Sequence, residues 1–449
     1  MFPNFLLRRE WYCAKCAMRF LSALLLLTAT SLPAAVSDGD LAKRVDAYIA
    51  PLAATHDFNG VVLIARGDKV LVRKAYGLAD WELNVPMSGR SRFRIASITK
   101  TFTAAAISML VERGKLAYTD PLSRFIPEFP AGEKITIRQL LGHSSGVADP
   151  DSLSCSEVTL DDLVKQIAAK PLAFEPGTKS RYSNGGYTLL ARVIEVASGL
   201  SWQDFLAKEI FAPLALSETT IDRRGPITPM RLHGYVPGPG PAGLQNAPCE
   251  GTWSAIGSGS VISSAEDLHR WARSVRNEKP FKRKALEYPF GWGARKYFDR
   301  NVIEQSGILS GTASYLAAYL DDDLYVVVLT NVQSGALVGI GKGLAAIALG
   351  IEPPRVMPSP PAVASTEGQR KKWLGRFSNP DIAAIEIIEN EGSLYQRWGD
   401  SRDTVYLMPT GTNTLYNRQD SIALELAQDG TIRMRWPEGE PQVFTRPPP

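Results

Sequence analysis

Two pairs of short apolar strands stand near opposite ends of one long segment, and they limit the possible folds more than any other feature. Val61 to Ala65 and Val70 to Ala75 flank the turn-rich stretch Arg66-Gly67-Asp68-Lys69, and Ser314 to Leu320 and Leu324 to Thr330 flank Asp321-Asp322-Asp323. Each pair reads as a hairpin. The sequence between them is mostly helical, so one sheet has to be assembled from both ends of the segment, with helical material inserted in the middle. Residues 39–54 place Leu41, Val45 and Ile49 at i, i+4 and i+8, an amphipathic helix. Residues 335–349, rich in Ala, Leu and Ile, supply a closing helix for the same sheet. The fold class is therefore α/β (α+β), an antiparallel sheet flanked by helices.

Beyond that segment, Pro353, Pro354, Pro358, Pro360 and Pro361 favour extended backbone and mark 352–366 as a linker. Short alternating runs follow at Ala384 to Ile388, Thr404 to Met408, Ile422 to Leu426 and Thr431 to Trp436, with Asp429-Gly430 a tight-hairpin signal between the last two. Residues 367–449 thus read as a small antiparallel β domain.

At the N-terminus, the apolar run 20–32 lies behind Arg8, Arg9, Lys15 and Arg19 and before Ala34, Ala35 and Ser37. That is the layout of a secretory signal peptide over residues 1–37, with Met18 an alternative start, and it predicts an exported protein, periplasmic or secreted. An uncleaved membrane anchor is the alternative, although the run is shorter than the roughly 20 apolar residues of a comfortable span. Cleavage lowers the formal charge from +4 to about +1, too little for a nucleic-acid footprint. It also removes Cys13 and Cys16, leaving Cys155 and Cys249 as one disulfide or two buried thiols. With 4 His and no paired Cys-x-x-Cys sites in the chain, zinc chemistry is not expected.

Arg94-Ile-Ala-Ser-Ile-Thr-Lys100 opens a helical segment over Thr101 to Leu116, with Ile98, Phe102, Ala106 and Leu110 on one face. Ser97 and Lys100, three apart, share a face. A serine hydroxyl needs a neighbouring base, and a lysine serves only when burial and the positive end of the helix favour its neutral form. By itself this spacing also fits a capping Ser and a surface Lys. Further on, Tyr182-Ser183-Asn184 puts a Tyr and an Asn two apart before a helix over Thr188 to Ala197.

With these motifs in this order, residues 40–350 strongly resemble the serine β-lactamase and penicillin-binding-protein-like hydrolases, especially the class C branch that also holds esterases and D-amino-acid peptidases. Ile135 to Gly146, Gly257 to Leu268 and Gly291-Trp292-Gly293 match as well. The resemblance implies a β-lactamase-like domain over 38–351 with an inserted helical subdomain. It implies Ser97 as nucleophile, Lys100 as acceptor or relay of its proton, Tyr182 as general acid/base and Asn184 as a substrate contact that also fixes Lys100. The third motif falls at Gln305-Ser306-Gly307, where the family carries Lys or His in place of Gln305. Gln305 has no charge, which counts against β-lactam hydrolysis more than against acyl transfer. The oxyanion hole would use backbone N–H groups of Ser97 and Ile308. The implied activity is a serine hydrolase cleaving carboxylic esters or amides, including D-amino-acid peptides, through an acyl-enzyme. Its partner is a small-molecule substrate, with no cofactor, no metal, no nucleic acid and no stable membrane span after signal cleavage; the oligomeric state stays open. A non-catalytic binder of cell-wall peptides or β-lactams, a true β-lactamase and a DD-carboxypeptidase are the alternatives.

Gly142-His143-Ser144-Ser145-Gly146 matches the nucleophile elbow of α/β-hydrolases, but a helical run precedes it and Val-Ala-Asp-Pro-Asp follows, so the strand–turn–helix context fails. His143 then reads as a hydrogen-bonded packing residue, and His56, His233 and His269 as surface or packing residues. Phe290 and Trp292 read as core or cleft-lining aromatics.

Overall fold

The computed structural model describes residues 38–150, 158–223, 225–248, 254–279 and 290–447, apart from positions 400, 402 and 438. The signal-peptide reading of 1–37 and both Cys155 and Cys249 lie outside the described residues.

The first helix, α1 (Asp38–Ala54), precedes the hairpin β1 (Gly60–Arg66) and β2 (Lys69–Tyr76). Helices α2 (Thr99–Glu112) and α3 (Asn184–Ser198) belong to the inserted helical part. Four strands then follow, β3 (Gly293–Tyr297), β4 (Arg300–Leu309), β5 (Thr312–Tyr319) and β6 (Leu324–Thr330), before helix α4 (Leu337–Ala348). They form one antiparallel six-stranded sheet in the order β3-β4-β5-β6-β1-β2, so β1 pairs with β6 from the far end of the segment, Leu63 opposite Val327. Alternation decides which side chain faces which layer. Val62, Ile64, Val326 and Val328 pack on α1 and α4, whereas Val61, Leu63, Val327 and Leu329 face the helical subdomain.

Helix α2 differs from the one-faced helix expected. It starts at Thr99, after a 3-10 turn over Ala96–Ile98, and ends at Glu112, with Gly114 at φ +67° just past its end. Every residue from Thr99 to Leu110 is buried, polar ones included, because the helix is sandwiched between the sheet and the helical subdomain. Its polar groups are therefore satisfied inside the protein. Trp271 Nε1 donates to Thr101 Oγ1 at 2.8 Å and Trp202 Nε1 to Thr103 Oγ1 at 3.1 Å.

The C-terminal sheet is an eight-stranded antiparallel meander starting at Gly375–Phe377 and ending at Gln442–Phe444. Ser378 and Thr445 exchange backbone hydrogen bonds of 2.8 and 2.9 Å, which brings the first and last strands together and nearly closes the sheet into a barrel. Phe377, Ile387, Leu407, Leu424, Met434 and Phe444 fill it. Asp429-Gly430 lies in a tight hairpin as its sequence suggests: Ala427 N–H donates to Thr431 O at 2.9 Å, Gly430 N–H to Ala427 O at 3.1 Å, and Gly430 takes φ +82°. The barrel docks through a buried ion pair. Arg418 Nε lies 3.2 Å from Asp57 Oδ1, with both side chains 5% exposed, and its other nitrogens donate to Gly243 O and Thr55 O at 3.0 and 2.8 Å. Ser359 N–H donates to the second Asp57 oxygen at 2.6 Å, tying the Pro-rich segment to the same point.

Candidate active site

Ser97 sits in the 3-10 turn ahead of α2, and the residue before it, Ala96, has φ +46°. A left-handed alanine is strained, and such backbone persists only where its surroundings fix it. Strand β4 does so from one side. A Cβ on Gly307 would lie 2.4 Å from Ile95 O and 2.7 Å from Ser97 N, so only glycine lets the strand press against this turn.

That approach also sets a pair of backbone donors. Leu309 pairs with Thr312 across a two-residue turn, and the pair flanking such a turn is hydrogen-bonded. Gly307 therefore bonds across to Ser314, and the Ile308 N–H points away from β5. On that side β3 pairs only as far as Glu304, which leaves the Ile308 N–H on the open edge next to the Ser97 turn.

Lys100 is one turn further along, fully buried at 0% exposure. Its Nζ is 3.2 Å from Ser97 Oγ, 2.8 Å from Asn184 Oδ1 and 2.9 Å from the carbonyl of Ser258. Burial lowers its pKa to about 7, against a smaller opposing pull from Asp149. A neutral amine has two N–H groups and one lone pair. Asn184 and Ser258 take the two hydrogens, and the lone pair is left facing the Ser97 hydroxyl.

Asn184 holds its position because α3 begins on it, four residues earlier than its apolar pattern suggests, with the Ser183 side chain accepting from Gly186 N–H as the cap. Tyr182, two residues before, lies in irregular chain and is 47% exposed. Its hydroxyl nevertheless turns inward and donates to Ser97 Oγ at 2.6 Å. Loss of hydration pushes its pKa up to about 12, with the Ser97 hydrogen bond opposing, so the phenol keeps its proton.

Gln305 does not reach for this cluster. Its Nε2 donates to Gly291 O at 2.6 Å and its Oε1 accepts from Ser306 N–H at 2.9 Å. Gly291, at φ +78°, packs so closely that a Cβ there would lie 2.7 Å from Lys100 O. Gln305 thus clamps the segment bearing Phe290 and Trp292, both buried, onto α2. Ser306 and Ile308 remain along the strand edge, Ile308 38% exposed.

Ser97, Lys100, Tyr182 and Asn184 are therefore brought together, and Gly307 and Ile308 lie beside them. Two contributors were missed in the sequence, the Ser258 carbonyl and Asp149, and a third, His143, is the hydrogen-bonded packing residue that the sequence suggested. The Ser258 carbonyl works through backbone and leaves no mark in residue type; its segment is fastened by Thr103 Oγ1 donating to Gly257 O at 2.7 Å and Thr188 Oγ1 to Ile256 O at 3.0 Å. Asp149 accepts from Gly185 N–H at 2.9 Å and acts electrostatically on both Lys100 and Tyr182. His143 stacks on Tyr182, ring centroids 4.7 Å apart at 30°. Burial lowers its pKa to about 4, helped by Lys100, so its ring is neutral. Among the described residues no group of His, Cys, Asp and Glu could hold a metal ion.

A family model described as "Beta-lactamase" matches residues 45–348. Penicillin-binding protein 4* of Bacillus subtilis (strain 168) is 28% identical over 425 residues, covering 85% of this chain and 93% of that protein. Among solved structures, the octameric penicillin-binding protein homologue from Pyrococcus abyssi superposes with a TM-score of 0.59 at 22% identity, over 90% of this chain and 99% of that one. D-amino acid amidase from Ochrobactrum anthropi SV3, complexed with L-phenylalanine amide, gives 0.61 at 22% identity over 69% of this chain and 98% of its own. At these identities the two structures speak to fold alone, and the first matches nearly the whole chain, C-terminal sheet included.

Proposed function

Because the chain belongs to the β-lactamase family, we propose that it is a serine hydrolase that forms an acyl-enzyme on Ser97 and cleaves carboxylic esters or amides. The observation that carries this reading is a fully buried lysine amine, its pKa lowered to about 7 by burial, that lies 3.2 Å from a serine hydroxyl. Lys100 takes the Ser97 proton as Oγ attacks the substrate carbonyl, and the oxygen that gains charge is met by the N–H groups of Ser97 and Ile308. Tyr182 gives its proton to the leaving group as the C–O or C–N bond breaks, and Lys100 returns a proton to Tyr182. Water then repeats the sequence against the acyl carbonyl and frees Ser97.

The Ile308 donor has its own test. Its N–H is outside the β5 ladder, so Ile308→Pro removes the donor without removing a sheet hydrogen bond. Turnover falls by about 100- to 1,000-fold, the usual effect of one lost oxyanion donor. Unchanged kcat in a variant with wild-type circular dichroism removes Ile308 from the mechanism.

The substrate reading follows from Gln305. With its amide spent on Gly291 and Ser306, the third motif brings no cation to meet a substrate carboxylate. Uncharged esters, and amides of the kind named for the D-amino acid amidase, fit better than β-lactams. Assayed side by side, p-nitrophenyl esters and D-amino-acid amides are turned over faster than D-Ala-D-Ala peptides and nitrocefin. Rapid nitrocefin hydrolysis overturns the inference from Gln305; stable labelling by a fluorescent penicillin with no turnover of any substrate favours a binding protein instead. The apolar run before Ala34 to Ser37 supports export to the periplasm or medium. Among the described residues no helix is long and apolar enough to cross a membrane.

A further inference from the structure

Tyr182 has a demanding position with little regular structure to hold it. Its segment is neither helix nor strand, and close to half of the residue faces solvent. A phenol that must deliver a proton within hydrogen-bond distance needs its ring and backbone fixed. The groups that fix it converge on one residue. Arg181 N–H donates to His143 O at 2.9 Å, and Ser183 N–H donates to His143 Nδ1 at 3.2 Å. The backbone on either side of Tyr182 is thus held by the main chain and the side chain of the same histidine, whose ring also lies against the Tyr182 ring.

His143 is itself held firmly. It adopts φ +57°, its N–H donates to Leu140 O at 3.3 Å, and Ser144 N–H closes the helix before it by donating to Gln139 O at 2.9 Å. A second aromatic, Tyr187, sits 5.2 Å from its ring and anchors through its hydroxyl to Leu141 O at 3.1 Å. Since Nδ1 accepts a hydrogen bond, the ring is the neutral tautomer protonated at Nε2.

We propose that His143 is the positioning residue for the general acid, holding the Tyr182 hydroxyl on Ser97 through a neutral Nδ1 acceptor and a stacked ring. The proposal rests on the acyl-enzyme reading above and assigns His143 no proton transfer of its own.

The test is a leaving-group series. An ester of p-nitrophenol loses a stable anion and needs little protonation, whereas phenyl and ethyl esters of the same acid depend on the acid. Two full-length variants separate the two halves of the grip: His143→Phe keeps a ring and loses the acceptor, and His143→Asn keeps an acceptor and loses the ring. The measured quantity is kcat/KM for each ester, taken as the ratio of p-nitrophenyl to ethyl ester. Partial unfolding lowers every rate alike and cancels from that ratio. In His143→Phe the ratio rises by about 10- to 100-fold, within the range general acid catalysis commands, and His143→Asn brings it back towards the wild-type value. A ratio in His143→Phe equal to wild type overturns the proposal whatever the absolute rates. If the wild-type protein hydrolyses no ester and takes up no fluorophosphonate at Ser97, the acyl-enzyme reading itself fails; with wild-type turnover in place, the ratio bears on His143 alone.

Discussion

Ser97→Ala eliminates labelling by a fluorophosphonate probe and lowers ester turnover by at least about 1,000-fold, leaving only the rate that binding and backbone donors supply without a nucleophile. The substitution is a small one for the fold. It removes a single oxygen, and its partners Tyr182 and Lys100 keep other surroundings, Lys100 through Asn184 Oδ1 and Ser258 O at 2.8 and 2.9 Å. The thermal midpoint therefore stays close to wild type, so a loss of labelling reads as chemistry. Equal labelling of variant and wild type would place the nucleophile elsewhere and end the acyl-enzyme reading.

Lys100 gives the second large effect. Lys100→Ala removes the proton acceptor and loses about 100- to 10,000-fold in kcat/KM, the range of general base catalysis. Lys100→Arg does not rescue it, because a guanidinium stays charged in proteins. The wild-type pH profile carries the sign. The base works only unprotonated, and its pKa is lowered to about 7 by burial, so kcat/KM climbs about tenfold per unit on the acid side of that value and levels off above it. A profile flat from pH 5 to 9 would mean that Lys100 is not the titrating base. Stability follows the same group. In the unfolded chain the amine binds its proton up to the ordinary lysine value of 10.5, while in the fold it releases it near 7. Between those two values the unfolded state holds the extra proton, so the contribution of Lys100 to stability improves as pH rises through the window and is constant outside it.

The central sheet was readable in the chain because strand periodicity is a local property. Val61 to Ala65 and Leu324 to Thr330 alternate between two buried layers, and the structure places both within a residue of the limits suggested by their apolar runs. Ser97, Lys100, Tyr182 and Asn184 could be picked out only because several motifs in one order resemble those of a known family, the Ser97–Lys100 spacing alone fitting a helix cap and a surface lysine equally well. Other features depended on neighbours. Helix α2 looked amphipathic but is buried all round, since Thr101 and Thr103 are satisfied by Trp271 and Trp202 from distant segments. The start of α3 was hidden by Gly185-Gly186, a pair that weakens any helical signal although Ser183 caps it. In the C-terminal sheet, Ser393–Trp398 turns Gln396 inward, where it accepts a 3.3 Å hydrogen bond from Asn417, so its pattern of apolar residues is broken. The function of Gln305 was the least legible of all, because its amide is committed to a main-chain carbonyl that no side-chain identity reveals.

The sheet that joins the two ends of the segment also orders events in time. A nascent chain emerges with Ser97, Lys100, Tyr182 and Asn184 long before β4 and β6, and until those strands arrive β1 has no β6 to pair with and the Ser97 turn has no Gly307 against it. Contacts between residues this far apart in sequence close late and slowly. A product ending before Ile308 lacks that donor however complete its motifs look. On the proposed mechanism the oxyanion pair is in this sense completed last, and a fragment without β4 lacks one of its two donors.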